Sequence, residues 1–150
     1  KIKKLGYLIK IDTNGSNPET LQKLLDEGYV DYVAMDIKAP KQKYKEIINC
    51  KDKNILEKFD KSIKIVKKIP VYEFRTTVLS FFNKKDFEEI GKWISENGKE
   101  KVKMYTLQKF NPKKTLDPKY KKMIPKTKQE IEEIAELMKK YADEVRVLGD

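Results

Sequence analysis

Four apolar runs of β-forming residues, each closing on a small group of polar side chains and separated from the next by a helical stretch, set the tightest limit on how this chain folds. The runs finish at Asp12-Thr13-Asn14-Gly15, Asp36-Ile37-Lys38, Arg75-Thr76-Thr77 and Gln108-Lys109. Strands that alternate with helices run parallel and are joined by right-handed crossovers. The carboxyl ends of parallel strands open on one face, and chemistry collects there. Two carboxylates, a lysine, an arginine and an amide at those ends predict a site for a charged, zwitterionic small molecule.

Turn and cap chemistry places the elements. Lys1 to Gly6 reads as the tail of a helix with Gly6 as its C-cap, and Tyr7 to Ile11 as a first strand. Asn17 is an N-cap residue, Pro18 suits the first helical position, and Gly28 ends that helix. Val30 to Ile37 is a second strand whose Tyr32-Val33-Ala34-Met35 run is apolar on both faces, as a buried parallel strand requires. A lysine-rich connector over 41–54 carries a helical turn near Tyr44 to Ile48. A helix runs from Asn54 to Lys68, then a third strand from Val71 to Leu79. Asn83 caps a helix that ends at Gly98, and Val102 to Leu107 is the fourth strand. After a long loop from Gln108 to Lys126, Thr127-Lys128-Gln129-Glu130 is a capping box opening a helix with Tyr141 on its apolar side. Val145 to Leu148 is the last strand. The expected fold is therefore α/β, an incomplete (β/α) barrel in one domain over 1–150. Its parallel sheet has about five strands flanked by helices, since a full barrel takes roughly 250 residues.

Composition narrows the chemistry. The chain has 150 residues, one cysteine (Cys50) and no histidine, which excludes a Cys/His zinc site, a Ser-His-Asp triad and any iron–sulfur cluster held by its own cysteines. The net charge of +10 comes almost wholly from lysine, because Arg75 and Arg146 are the only arginines. A nucleic-acid reader leans on arginine, whereas a Lys/Glu-rich surface is a heat-tolerant, solvated one, so a nucleic-acid partner is not expected. No apolar run approaches the ~20 residues of a membrane span, and the N-terminus lacks a signal-peptide core, so the expected location is cytoplasmic.

Asp12 and Asp36 lie one βα unit apart, and on adjacent strands they are expected to face each other. Two such carboxylates call for a shared cation or a substrate amine, unless Asp12 only caps its own turn. Lys38 falls on the same face as Asp36 by strand alternation and either pairs with it or holds a carboxylate ligand. Arg75 suits carboxylate recognition, or a salt bridge to Glu73 or an aspartate. Gln108, where the fourth strand leaves the sheet, has an amide able to bond a base edge.

Together these residues resemble one family. The segments Lys10-Ile11-Asp12-Thr13-Asn14-Gly15-Ser16-Asn17-Pro18, Asp31-Tyr32-Val33-Ala34-Met35-Asp36-Ile37-Lys38-Ala39-Pro40, Tyr72-Glu73-Phe74-Arg75-Thr76-Thr77-Val78, Leu107-Gln108-Lys109-Phe110 and Lys114-Thr115-Leu116-Asp117-Pro118 look like the C-terminal half of the radical SAM activases that install a glycyl radical. Within that family they are most similar to the anaerobic ribonucleoside-triphosphate reductase activating protein, with the pyruvate formate-lyase activases as relatives. The resemblance implies a partial barrel using S-adenosylmethionine (SAM) and a [4Fe–4S] cluster. The implied partners are a glycyl-radical enzyme, such as anaerobic ribonucleotide reductase or a formate-lyase-like enzyme, and an electron donor such as flavodoxin or ferredoxin. It assigns Asp12, Asn14, Asp36, Lys38, Arg75 and Gln108 to SAM. Asp12 and Asp36 would lie by the methionine moiety and also hold a monovalent cation, with backbone oxygens near Thr13 and Ala34. Lys38 and Arg75 would lie by the carboxylate and ribose, and Gln108 by the adenine. No residue here is assigned a catalytic role.

Departures from the family pattern matter as much. The Cys-x3-Cys-x2-Cys loop and the Gly-Gly-Glu strand are absent, and Leu79-Ser80-Phe81 replaces Val-Pro-Gly. The expectation is a truncated or split protein, inactive alone, with an open sheet edge at Tyr7 to Ile11 that invites self-association. Two other readings stand beside it. One is a small barrel lyase or aldolase using Lys38, since Asp36-x-Lys38 resembles the Asp-x-Lys-x-x-Asp signature of the orotidine-phosphate decarboxylase superfamily, although Lys41 stands where an aspartate is required. The other is a lysine-rich RNA-binding or docking module with Tyr105, Phe110 and Tyr120 as a stacking platform.

Overall fold

A computed structural model describes residues 1–115 and 117–149. Five strands form one open, parallel sheet in the order β1-β2-β3-β4-β5: β1 (Lys10–Thr13), β2 (Tyr32–Asp36), β3 (Tyr72–Val78), β4 (Val102–Lys109) and β5 (Ala142–Leu148). Between them run α1 (Pro18–Asp26), α2 (Tyr44–Ile47), α3 (Ile55–Lys67), α4 (Lys84–Ile94) and α5 (Lys128–Met138). The chain divides within β3 into two compact units, 1–74 and 75–150.

In the first unit, Asn17 caps α1 by accepting the Thr20 N–H at 3.1 Å, and Pro18 occupies the first turn. Leu21 of α1 and Ile55, Phe59, Ile63 and Val66 of α3 are buried, as are Val33, Ala34 and Met35 of β2. Burying each large apolar side chain is worth roughly 1.5–3 kcal/mol. That gain holds β2 as a strand with no wet face.

The first strand begins three residues later than expected. Tyr7 and Leu8 are 65% and 83% exposed, and β1 starts at Lys10, paired with Tyr32. The Ile9 N–H is taken instead by the Asp31 carboxylate at 2.7 Å, which also binds the Lys3 ammonium at 2.6 Å. The strand edge expected at Tyr7 to Ile11 is therefore Lys10–Thr13, and Asp12 and Thr13 sit inside the strand rather than in the turn after it. Lys3–Leu5 form a 3-10 turn, with Gly6 as its C-cap.

In the second unit, α4 opens on a capping box between Asn83 and Asp86, and α5 on one between Thr127 and Glu130. Phe82, Phe87, Ile90 and Ile94 are buried, as are Val102, Tyr105 and Leu107 of β4 and Ile131, Ile134 and Met138 of α5. The α4 helix stops at Ile94, short of Gly98, because Glu96, Asn97 and Gly98 all take positive φ. Tyr141 lies just beyond α5 rather than on it, and is buried. The loop after β4 starts at Phe110 and holds 3-10 turns at Pro112–Lys114 and Pro118–Tyr120. Leu116 of the Lys114–Pro118 motif lies outside the described residues.

The turn after β1 rests on Gly15. Its φ is +77°, and a Cβ there would lie 2.2 Å from Met35 Cε and 3.1 Å from the Phe59 ring. Its carbonyl accepts the buried Ser62 hydroxyl at 2.8 Å. Gly15→Ala is expected to destabilise the fold by about 1–3 kcal/mol, read as a lower urea midpoint. Lys3 and the Ile9 N–H hold the Asp31 carboxyl below its ordinary value of 3.8. A lowered folded pKa stabilises fully above the ordinary value and loses that contribution as pH falls through the lowered one. Protection of the Ile9 amide from exchange is thus expected to persist at neutral pH, to weaken on strong acidification, and to be lost at any pH in Asp31→Ala, which has no acceptor there.

Candidate functional site

The polar ends of β1 and β2 come together within the first unit. The parallel register sets Asp12 opposite Ala34 and Thr13 opposite Met35. Asp12 and Asp36 therefore share a sheet face but are offset by two residues, not directly opposed as the sequence suggested. Each carboxylate meets a lysine. Lys38 Nζ lies 2.7 Å from Asp36 Oδ2, and Lys10 Nζ lies 4.0 Å from Asp12 Oδ1. Asp36 and Lys38 are thus in contact, although β2 ends at Asp36 and Lys38 lies just beyond it. Asp36 is 23% exposed and Lys38 45%, so the pair stands at the mouth of the buried strand rather than inside it.

Three residues here escaped the sequence reading. Lys10 also reaches Glu73 Oε1 at 3.4 Å and lies 4.8 Å from the centre of the Tyr32 ring. Glu73 is a nearly buried carboxylate, 7% exposed, and its lysine supplies the opposite charge that burial demands. The residues are 63 positions apart, so no local pattern announces the contact. The third is Tyr44. Fully buried, it stacks at a tilt on Phe59 with ring centres 4.5 Å apart. Its hydroxyl accepts the Lys38 N–H at 3.1 Å and donates to the Asp36 carbonyl at 3.4 Å. Burial, reinforced by the negative Asp36 and opposed by the Lys38 N–H, pushes this hydroxyl up to about 12, so it keeps its proton at physiological pH.

Asn14 is exposed, and its side-chain oxygen accepts the Ser16 N–H at 3.0 Å, an Asx turn. Arg75 and Gln108 belong to the second unit. Arg75 is half-buried in β3. Gln108 is the penultimate residue of β4 and the last in its register with β5, opposite Leu148, so it stands where that strand leaves the sheet. In the same unit Tyr105 is fully buried and donates to Thr76 Oγ1 at 2.6 Å.

These facts bear on the two rival readings. A Schiff-base lysine is kept desolvated, whereas Lys38 is half-exposed and ion-paired. The expected stacking platform does not form: Tyr105 is internal, Phe110 is buried, and Tyr120 packs edge-on against Phe110 at 6.4 Å. Among the described residues no helix is long and apolar enough to cross a membrane.

The donor set fits one implied group and not the other. Adjacent carboxylate and ammonium side chains complement the ammonium and carboxylate of an amino acid, as SAM presents. A [4Fe–4S] cluster needs a cage of thiolates, and the sole cysteine, Cys50, cannot build one. Among the described residues no three His, Cys, Asp or Glu side chains are grouped to hold a metal ion.

A protein of Methanocaldococcus jannaschii, provisionally named a glycyl-radical enzyme activating enzyme, is 36% identical over 147 residues, covering 95% of this chain. The chain spans 59% of that relative's length. A domain of a pyruvate-formate lyase-activating enzyme from Bacteroides vulgatus superposes with a TM-score of 0.71 over 98% of this chain and 84% of its own, at 12% identity, a likeness of fold. Residues 1–94, which carry β1, β2 and the Asp36–Lys38 pair, match the model of the radical SAM superfamily, and the chain belongs to that superfamily.

Proposed function

We propose that this chain is the SAM-binding portion of an activase that installs a glycyl radical on a partner enzyme, such as anaerobic ribonucleotide reductase. The observation that carries the reading is the 2.7 Å Asp36–Lys38 pair at the open end of a buried strand, within the segment that matches the superfamily. The name of the archaeal relative supports the activase role.

Bound SAM, together with an iron–sulfur cluster, would supply the radical chemistry for hydrogen abstraction from a glycine of the partner. This chain's part is to bind and orient. Asp36 and Asp12 receive the cationic end of the methionine moiety, and they also suit a monovalent cation beside backbone oxygens of Thr13 and Ala34. Lys38 neutralises the carboxylate. Asn14 shapes the turn beside Asp12. Arg75 is assigned to the carboxylate and ribose, and Gln108 to the adenine. The thiolates of the [4Fe–4S] cluster, and the electron from a donor such as flavodoxin or ferredoxin, come from outside this chain. The chain alone is accordingly inactive.

Two outcomes are expected. Calorimetric titration of the isolated chain with SAM should show weak binding or none, and the full protein with its thiolate-bearing segment should bind iron and cleave SAM. In that full protein, Asp36→Ala should raise the SAM Kd about tenfold or more, some 1.4 kcal/mol, while changing unfolding free energy by less than about 1 kcal/mol. Unaltered SAM affinity in Asp36→Ala would remove the role given to this carboxylate.

A further inference from the structure

Tyr44 is given no contact with SAM, yet its hydroxyl joins the two backbone groups from which the charged pair hangs. It accepts the N–H of Lys38 and donates to the carbonyl of Asp36, bridging Ile37, which is itself fully buried. Phe59 backs the ring, and the first turn of α2 carries it. β2 ends at Asp36, and the Tyr44 hydroxyl ties together the backbone on either side of Ile37 just beyond it. Without it the Lys38 N–H would lose this acceptor, and the two side chains would lose a fixed separation.

We infer that Tyr44 is a positioning residue for SAM, holding the Asp36–Lys38 segment so that carboxylate and ammonium stand at the spacing an amino-acid zwitterion requires. The inference rests on the proposed role of that pair. Positioning of this kind acts through the geometry of the groups it holds, since groups fixed before binding lose less freedom when the ligand arrives. The hydroxyl itself need not touch the ligand.

The test is a double-mutant cycle in the full protein, read as SAM Kd by calorimetry and as exchange of the Lys38 amide by NMR. Tyr44→Phe keeps the ring and removes the hydroxyl. It should raise Kd about tenfold and speed exchange at Lys38. Lys38→Met should also weaken binding, and the Tyr44→Phe/Lys38→Met protein should lose clearly less than the two separate losses combined, because residues acting through one another do not add. Phe59→Leu, which loosens the ring but keeps the hydroxyl, should leave Kd within about twofold, a margin below the effects of coupled sites. Three results would overturn the inference. Additive losses, or a loss in Phe59→Leu equal to that in Tyr44→Phe, would reduce Tyr44 to general packing. An unchanged Kd in Tyr44→Phe beside a raised one in Lys38→Met would sink the inference and leave the reading of the pair intact. An unchanged Kd in Lys38→Met would sink both. Should Tyr44→Phe fail to fold, exchange in the unaltered protein decides: a Lys38 amide protected from solvent supports the bridge, and one exchanging at the solvent-limited rate refutes it.

Discussion

Burial of β2 on both faces is the constraint on which the first unit depends. Val33, Ala34 and Met35 have no contact with solvent, so a one-residue slip against β1 would move every side chain of the strand to the opposite face. A strand of this kind can carry charge only where it ends. Asp36 is the first residue to emerge and Lys38 the next on the same side, and their mutual contact offsets part of the cost of drawing each from water. The same burial explains Gly15. The turn returning toward α1 passes so close to Met35 and Phe59 that a side chain has no room.

Elements with local chemistry were legible. Asn17-Pro18, Asn83, and Thr127 with Glu130 declare helix starts because a cap and the N–H it accepts lie within three residues of each other. The β2 run was legible because four apolar residues in succession suit a strand with no polar face. The start of β1 was not. Tyr7-Leu8-Ile9 has strong β character, yet pairing with β2 begins at Lys10, and Asp31, over twenty positions away, captures the Ile9 N–H. Glu73 and Lys10 were illegible for the same reason, their contact being set by which strands become neighbours. Tyr44 looked like one more residue of a short helical turn, since nothing in a window around it points back eight residues to Asp36.

The superfamily match and the donor chemistry together divide the proposed task. A strand end with paired opposite charges suits the proposed recognition of an amino acid, and it has none of the thiolates that an iron–sulfur cluster requires. The high lysine content fits neither duty in particular. Most of the lysines that pair do so with exposed acids, as Lys128 does with Glu132 and Lys139 with Glu136, and such pairs are worth little individually.

The opening segment differs in kind from the remainder of the first unit. Ile2, Leu5, Tyr7 and Leu8 all project into solvent; the Asp31 and Tyr32 N–H groups bond the Ile9 carbonyl at 2.9 and 3.2 Å, and ahead of that point the stretch is attached through the Asp31 carboxylate, bonded to Lys3 and to the Ile9 amide. Anchorage of that sort is electrostatic where the interior is greasy. It weakens with ionic strength while the packed layers behind it do not, so added salt loosens the entrance to the first strand without melting the body it leads into.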